Sequence, residues 1–172
     1  MNSKFEKYDI TARSLHWISA LVILWSTISG FYLILFSIEE SIKHQISELN
    51  VSIAVVFIPF FCWRVIHRVK HGIPSYGNLL SERVAKIAVA MHILLYTMVT
   101  IVLLSGILMM EKDFTVFNLF SIPRLIDTAE TQKFFGIVHI YATRILAVCI
   151  IIHVLAVVKH EISGTRILRR ML

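Results

Sequence analysis

Apolar residues along this chain fall into four long blocks separated by short polar stretches, and none of the blocks alternates with the period of two that a strand would show. Between Arg13 and Glu39 the segment SLHWISALVILWSTISGFYLILFSI carries no charge and is long enough to cross a bilayer, which takes about 20 apolar residues. A cleavable leader would be shorter and end in small residues, whereas here Leu33, Ile34, Leu35 and Phe36 lead into Glu39 and Glu40. The block reads as a retained anchor. The second block, Leu49 to Trp63, is uncharged for only 15 residues, so Arg64 and Arg68 must snorkel out at one end. Pro59 removes a helical hydrogen bond there and predicts a kink. The third block runs from Ile87 to Met110 and the fourth from Phe134 to Val158, interrupted only by Arg144. The expected architecture is all-α: one integral membrane four-helix bundle over residues 1–172, with spans near 15–37, 47–67, 87–110 and 134–158. In the Glu111–Lys133 connection, Phe114, Val116, Phe117, Leu119, Phe120 and Ile122 predict a short interfacial helix. The stretch from His71 to Ser81 predicts a plain turn.

Composition agrees, since 57% of the residues are hydrophobic and 16% charged, against roughly 25% charged in soluble domains. The net charge of +6 raises the question of a nucleic-acid partner, which the distribution answers. Twelve Lys and Arg and four acidic residues lie in the N-terminal segment, the Arg64–Lys86 connection and the C-terminal tail; the other two connections hold four basic and seven acidic residues. Cytoplasmic loops are the basic ones. Both termini are therefore expected in the cytoplasm, and the basic balance reports topology and not nucleic acid. Cys62 and Cys149 lie inside spans and no C-x-x-C-H occurs, so neither disulfides nor covalently attached haem is expected. Motifs for hydrolases, P-loop enzymes and zinc peptidases are missing from the sequence.

Eight histidines in so apolar a chain are the remaining oddity, because ionisable residues at membrane depth are costly and usually functional. His139 and His153 are 14 residues apart, about four turns with a residual rotation of about 40° and a rise of roughly 21 Å. They share one helix face, one in each leaflet. That spacing suits axial ligands for two haems stacked across the membrane, each taking an imidazole from two facing helices; two histidines hydrogen-bonded to neighbouring helices is the plainer alternative. His16 lies at the depth of His153 and is a candidate partner, and His92 competes with it. The residue not used would serve a propionate or a quinone. Arg144 is turned about 140° from His139 and must find a partner. A Ser or Thr of span one or three is the plain choice, a propionate or anionic substrate the functional one.

Taken in register, several motifs resemble the bacterial cytochrome b561 family, which includes a superoxide oxidase type and is similar to the cytochrome b subunits of nickel-iron hydrogenases. They are Tyr8 followed by His16-Trp17, Arg64 and Arg68 as R-x-x-x-R, His92 and Tyr96 as H-x-x-x-Y, His139, His153 and His160 on span four, and Leu168–Met171 as L-R-R-M. The resemblance implies that His16 and His153 ligate a haem b on the cytoplasmic side, and that His139 serves a second on the periplasmic side. Its partner there would be a His 14 residues before Arg64, where this chain has Asn50. Three outcomes follow: His139 pairs with His44, His139 alone holds a five-coordinate haem, or the outer haem is lost.

The resemblance further implies a bacterial inner-membrane protein passing single electrons between a donor such as periplasmic superoxide and the ubiquinone pool, with quinone near His160 at the cytoplasmic end. Such a chain would be an oxidoreductase or an electron-transfer protein. The alternatives are a membrane-anchor cytochrome for a partner dehydrogenase or hydrogenase subunit, and a haem-poor structural member. The expected partners are quinone, lipid and a redox protein.

Overall fold

The computed structural model describes residues 7–76 and 79–172. Lys4, used above in the charge count, and the Gly77–Asn78 part of the expected turn lie outside them. Four helices account for most of the chain: α1 (Ile10–Leu35), α2 (Glu40–His71), α3 (Glu82–Leu108) and α4 (Ala129–Ile162). Each is long and apolar enough to cross a membrane, as the four blocks predicted; all four begin before the expected span, α2 and α4 also end beyond it, and α1 and α3 end two residues short of it. Helix α2 continues through Pro59. A 3-10 turn (Ile167–Arg170) follows α4.

The 111–133 connection corrects one expectation, the interfacial helix. It forms an antiparallel hairpin of β1 (Phe114–Val116) and β2 (Phe120–Ile122) with Val116 opposite Phe120. Phe117 and Asn118 both have positive φ, 49° and 57°, and the Leu119 amide donates to the Val116 carbonyl, which is turn geometry with two left-handed residues. The sequence carries the signal in miniature, apolar Phe114 and Val116 alternating with Thr115 before a turn-forming Asn118. The hairpin is pinned to α2, where the Phe117 amide donates to Ser52 Oγ at 3.0 Å.

Helices α1 and α2 pack along each other, as do α3 and α4, and the two pairs meet chiefly through α2 and α3. The buried residues that join the pairs are Phe57, Phe61, Val99 and Leu146, halfway along the bundle. Outside this waist most large apolar side chains face outward, Ile28 at 67% and Ile93 at 60% exposure among them, as expected for helices surrounded by lipid. Small buried Ser19, Ser29 and Ser105 let the helices approach, and each satisfies its hydroxyl on a carbonyl four residues earlier.

The two ends of the described chain are tied together. The Tyr8 amide donates to the Arg170 carbonyl at 3.1 Å and Trp17 Nε1 to the Met171 carbonyl at 2.9 Å, and Arg13 bonds the Leu172 carbonyl. Arg170 is almost wholly buried, donates to the Pro74 and Ser75 carbonyls, and lies over the Tyr76 ring at 4.4 Å. We call this the termini end and the opposite one the hairpin end.

Asp9 caps α1 by accepting from the Ala12 amide at 2.9 Å, and that bond, then the nearby His67, holds its carboxyl below the usual 3.8. Asp9→Ala should therefore cost about 1 kcal/mol in detergent unfolding. The wild-type advantage should be present above the ordinary carboxylate pKa and lost as pH falls through the lowered native value; an unfolding difference that persists under strong acid would contradict this origin.

Candidate functional site

The gap between the helix pairs opens on either side of the waist into two cavities, and the intramembrane histidines divide between them. The one at the termini end, about 180 Å³, is lined by His16 from α1, His92 from α3, and His153 and His160 from α4, with Arg170 closing it from the tail. The one at the hairpin end, about 300 Å³, is lined by His139 from α4 and by Asn50 from α2. His44 lies elsewhere: its side chain is 74% exposed and pairs with Glu48 at 3.2 Å. The outcome in which His44 joins His139 has no support in this arrangement, because the first turn of α2 directs it away from the gap.

His139 is the best-defined of these side chains. Its Nδ1 lies 3.1 Å from the Val102 carbonyl and 3.2 Å from Ser105 Oγ. A carbonyl only accepts, so Nδ1 carries the proton and Nε2 keeps its lone pair. Buried metal-binding imidazoles are commonly oriented in this way. The approach depends on Gly106, where an added Cβ would stand 3.2 Å from His139 Cε1.

At the termini end the rings of His92 and His153 meet edge to face, centroids 5.3 Å apart. They belong to the tightly packed α3–α4 pair, which leaves no slot for a macrocycle between them; His16 faces the same cavity from the other pair. His92 Nδ1 is buried and has no hydrogen-bond partner among the described residues, so this cavity holds a polar atom that the protein itself leaves unsatisfied. His16 Nδ1 lies 3.0 Å from Arg64 Nη2. A guanidinium only donates, so His16 accepts at Nδ1 and carries its proton on Nε2. Ligation through Nε2 therefore requires Arg64 to release the ring, after which its charge is available to an anion such as a propionate. Arg64 also lies over the Tyr96 ring at 5.1 Å, and Arg68 Nη1 reaches Tyr8 Oη at 3.4 Å.

With that one rearrangement the donor sets fit haem: apolar slots between helix pairs, imidazoles facing in, and cations at the termini end. Residues not singled out from sequence are Arg170, Gly106, Ser105 and Ser26. Gly106 beside Ser105 on an apolar helix was a readable sign of close approach. Ser26, whose buried hydroxyl has no partner among the described residues, gave no such sign. Arg144 does not meet the Ser or Thr expected for it. It is exposed on the outside of the bundle, over the Tyr141 ring at 5.8 Å.

A four-span bundle with histidines facing two stacked cavities is the architecture of a membrane b-type cytochrome. Residues 7–172 match the family described as prokaryotic cytochrome b561, and the chain belongs to that family. It is 28% identical over 176 residues to cytochrome b561 homolog 2 of Escherichia coli (strain K12), covering 97% of this chain and 92% of that relative. The chain is thus a multi-pass membrane protein of a haem b electron-transfer family.

Gly106→Val should push His139 off the Val102 carbonyl. The expected result is partial or complete loss of whatever haem depends on His139, read as haem per polypeptide, with the helical circular dichroism retained. Unchanged haem content would contradict the positioning role of Gly106.

Proposed function

We propose that this chain moves single electrons between a donor and the ubiquinone pool across the bacterial inner membrane, with haem b held at the termini end by His16 and His153 and at the hairpin end by His139. The observation that carries the reading is the sorting of His16, His153 and His139 into two cavities of one gap. Haem iron in such slots supplies one-electron redox chemistry. The protein's own contribution is to hold the imidazoles, exclude water and place cations.

The basic balance of the termini end supports its assignment to the cytoplasm, and the acidic balance of the other end its exposure to the periplasm. His160 lines the termini-end cavity beside Arg170. From there its imidazole can donate to a quinone carbonyl. His139 and His153 are separated by a rise of roughly 21 Å, long for a single tunnelling step. Haem in both cavities shortens the transfer, which favours a periplasmic donor such as superoxide. A second reading, a membrane anchor for a partner dehydrogenase or hydrogenase subunit, is favoured by Arg144. A bare cation at mid-span on the outer face is costly against lipid and inexpensive against an acidic partner.

Purified protein should show reduced-minus-oxidised b-type absorbance, and the pyridine haemochrome should give its haem per polypeptide. A colourless protein from haem-sufficient cells would sink the proposal. His153→Ala should abolish the termini-end haem while leaving that of His139, and an unchanged spectrum would show the ligand assignment to be wrong. His160→Gln should leave the haem spectrum intact and weaken quinone binding by roughly 2- to 12-fold, the worth of a hydrogen bond of about 0.5–1.5 kcal/mol. Equal quinone reduction by wild type and variant at limiting quinone would remove His160 from the site.

A further inference from the structure

The hairpin-end cavity is asymmetric in a way that the termini-end cavity is not. From the α3–α4 pair it receives a single imidazole, His139, already set with its lone pair on Nε2 by the Val102 carbonyl. The polar side chains of the facing pair, α1–α2, are Ser26, Thr27, Ser47 and Asn50. None is a ligand that haem iron takes, since iron is held by His, Cys, Met or Tyr. Met109 and Met110 also line the cavity, but they directly follow α3 and so belong to the same helix pair as His139.

The polar groups of the facing wall are organised. The single Ser29 hydroxyl proton is shared between the Trp25 carbonyl at 2.7 Å and Asn50 Oδ1 at 2.9 Å, which holds the carboxamide in place. Ser19, Ser29, Ser105, Thr100 and Thr143 all turn their hydroxyls back onto a carbonyl four residues earlier. Ser26, on the same helix as Ser29, does not: its Oγ is buried at the cavity and has no hydrogen-bond partner among the described residues. A hydroxyl withheld from the ordinary helical bond, in a cavity lined mostly by apolar side chains, is free to serve a ligand.

We infer that the hairpin-end cavity is a binding site for a small diatomic ligand: haem held there by His139 alone keeps its sixth coordination position open toward Asn50 and Ser26, which donate hydrogen bonds to the bound molecule. This rests on the reading of the chain as a haem b cytochrome. The ligand class is a diatomic with a lone pair for iron and an acceptor atom for the wall, of the type of carbon monoxide, nitric oxide or dioxygen. Binding forms one coordinate bond from that lone pair, breaks no bond of the protein and moves no proton.

Carbon monoxide is the probe, added to the dithionite-reduced, detergent-purified protein. A carbon monoxide difference spectrum is expected, amounting to half of the haem when both cavities are loaded. It should vanish in His139→Ala together with the corresponding haem, and persist in His153→Ala. Asn50→His should supply the missing imidazole, convert this haem to a low-spin form and abolish the carbon monoxide response without lowering haem content. Ser26→Ala should keep the response and move the infrared C–O stretch to higher frequency as a hydrogen bond to the bound oxygen is lost. Haem that is wholly low-spin and unresponsive, yet partly lost in His139→Ala, would overturn the inference by revealing a sixth protein ligand. Haem content unchanged by His139→Ala would overturn it by emptying the cavity. In both cases the cytochrome reading survives, whereas a protein with no haem at all removes the reading itself.

Discussion

The two helix pairs are joined at mid-bundle by a waist, where Phe57 and Phe61 of α2 meet Val99 of α3 and Leu146 of α4. Lipid supplies no hydrophobic force between helices, so association rests on packing and on polar contacts in the interior. A single packed layer across the middle therefore does two things. It keeps the pairs together, with Phe61 and Tyr96 rings 6.1 Å apart extending it toward the termini end, and it leaves the gap above and below unfilled. In a bilayer, polar side chains seek such a gap, because the alternative is hydrocarbon. The histidines line the cavities for the same reason that the waist is apolar.

Each open end needs a closure, and the chain uses a different one at each. At the hairpin end β1 and β2 sit against α2, and Phe114 lines the cavity beneath them. Gln132 ties the start of α4 to the Met110 carbonyl at 3.2 Å, holding that connection down. At the termini end the buried Arg170 gathers the Pro74–Tyr76 segment and the tail around one guanidinium. A planar group with five donors can serve backbone carbonyls and stack on an aromatic ring at once, which a lysine could not. Positive charge is thereby kept at the cavity that His16 lines, with Arg64 against the His16 ring.

The spans and the division of His139 and His153 between two depths were legible because they depend on periodicity and length alone. His16 was legible by depth, but its bond to Arg64 was not, since that depends on which faces of α1 and α2 meet. Apolar runs that face lipid carry no record of which side packs, so the contrast between Ser26 and Ser29 is invisible in the letters. The β-hairpin was misread because its strands are three residues each, too short for alternation to outweigh apolar content. Asn50 was legible as a departure. Its bond to Ser29 and its place in the cavity of His139 gave that departure a physical setting.

That setting also explains how such a departure can be borne. A substitution in the waist empties a packed site and would cost several kcal/mol, as large-to-small core changes do. A residue lining a cavity fills little, so exchanging histidine and asparagine at position 50 costs the fold far less than a change in the waist. What the fold does require there is a polar group with a partner, which Ser29 provides. Stability thus resides in the waist and the two closures, while the cavity walls can vary, and the same four helices can carry iron sites with different axial ligands.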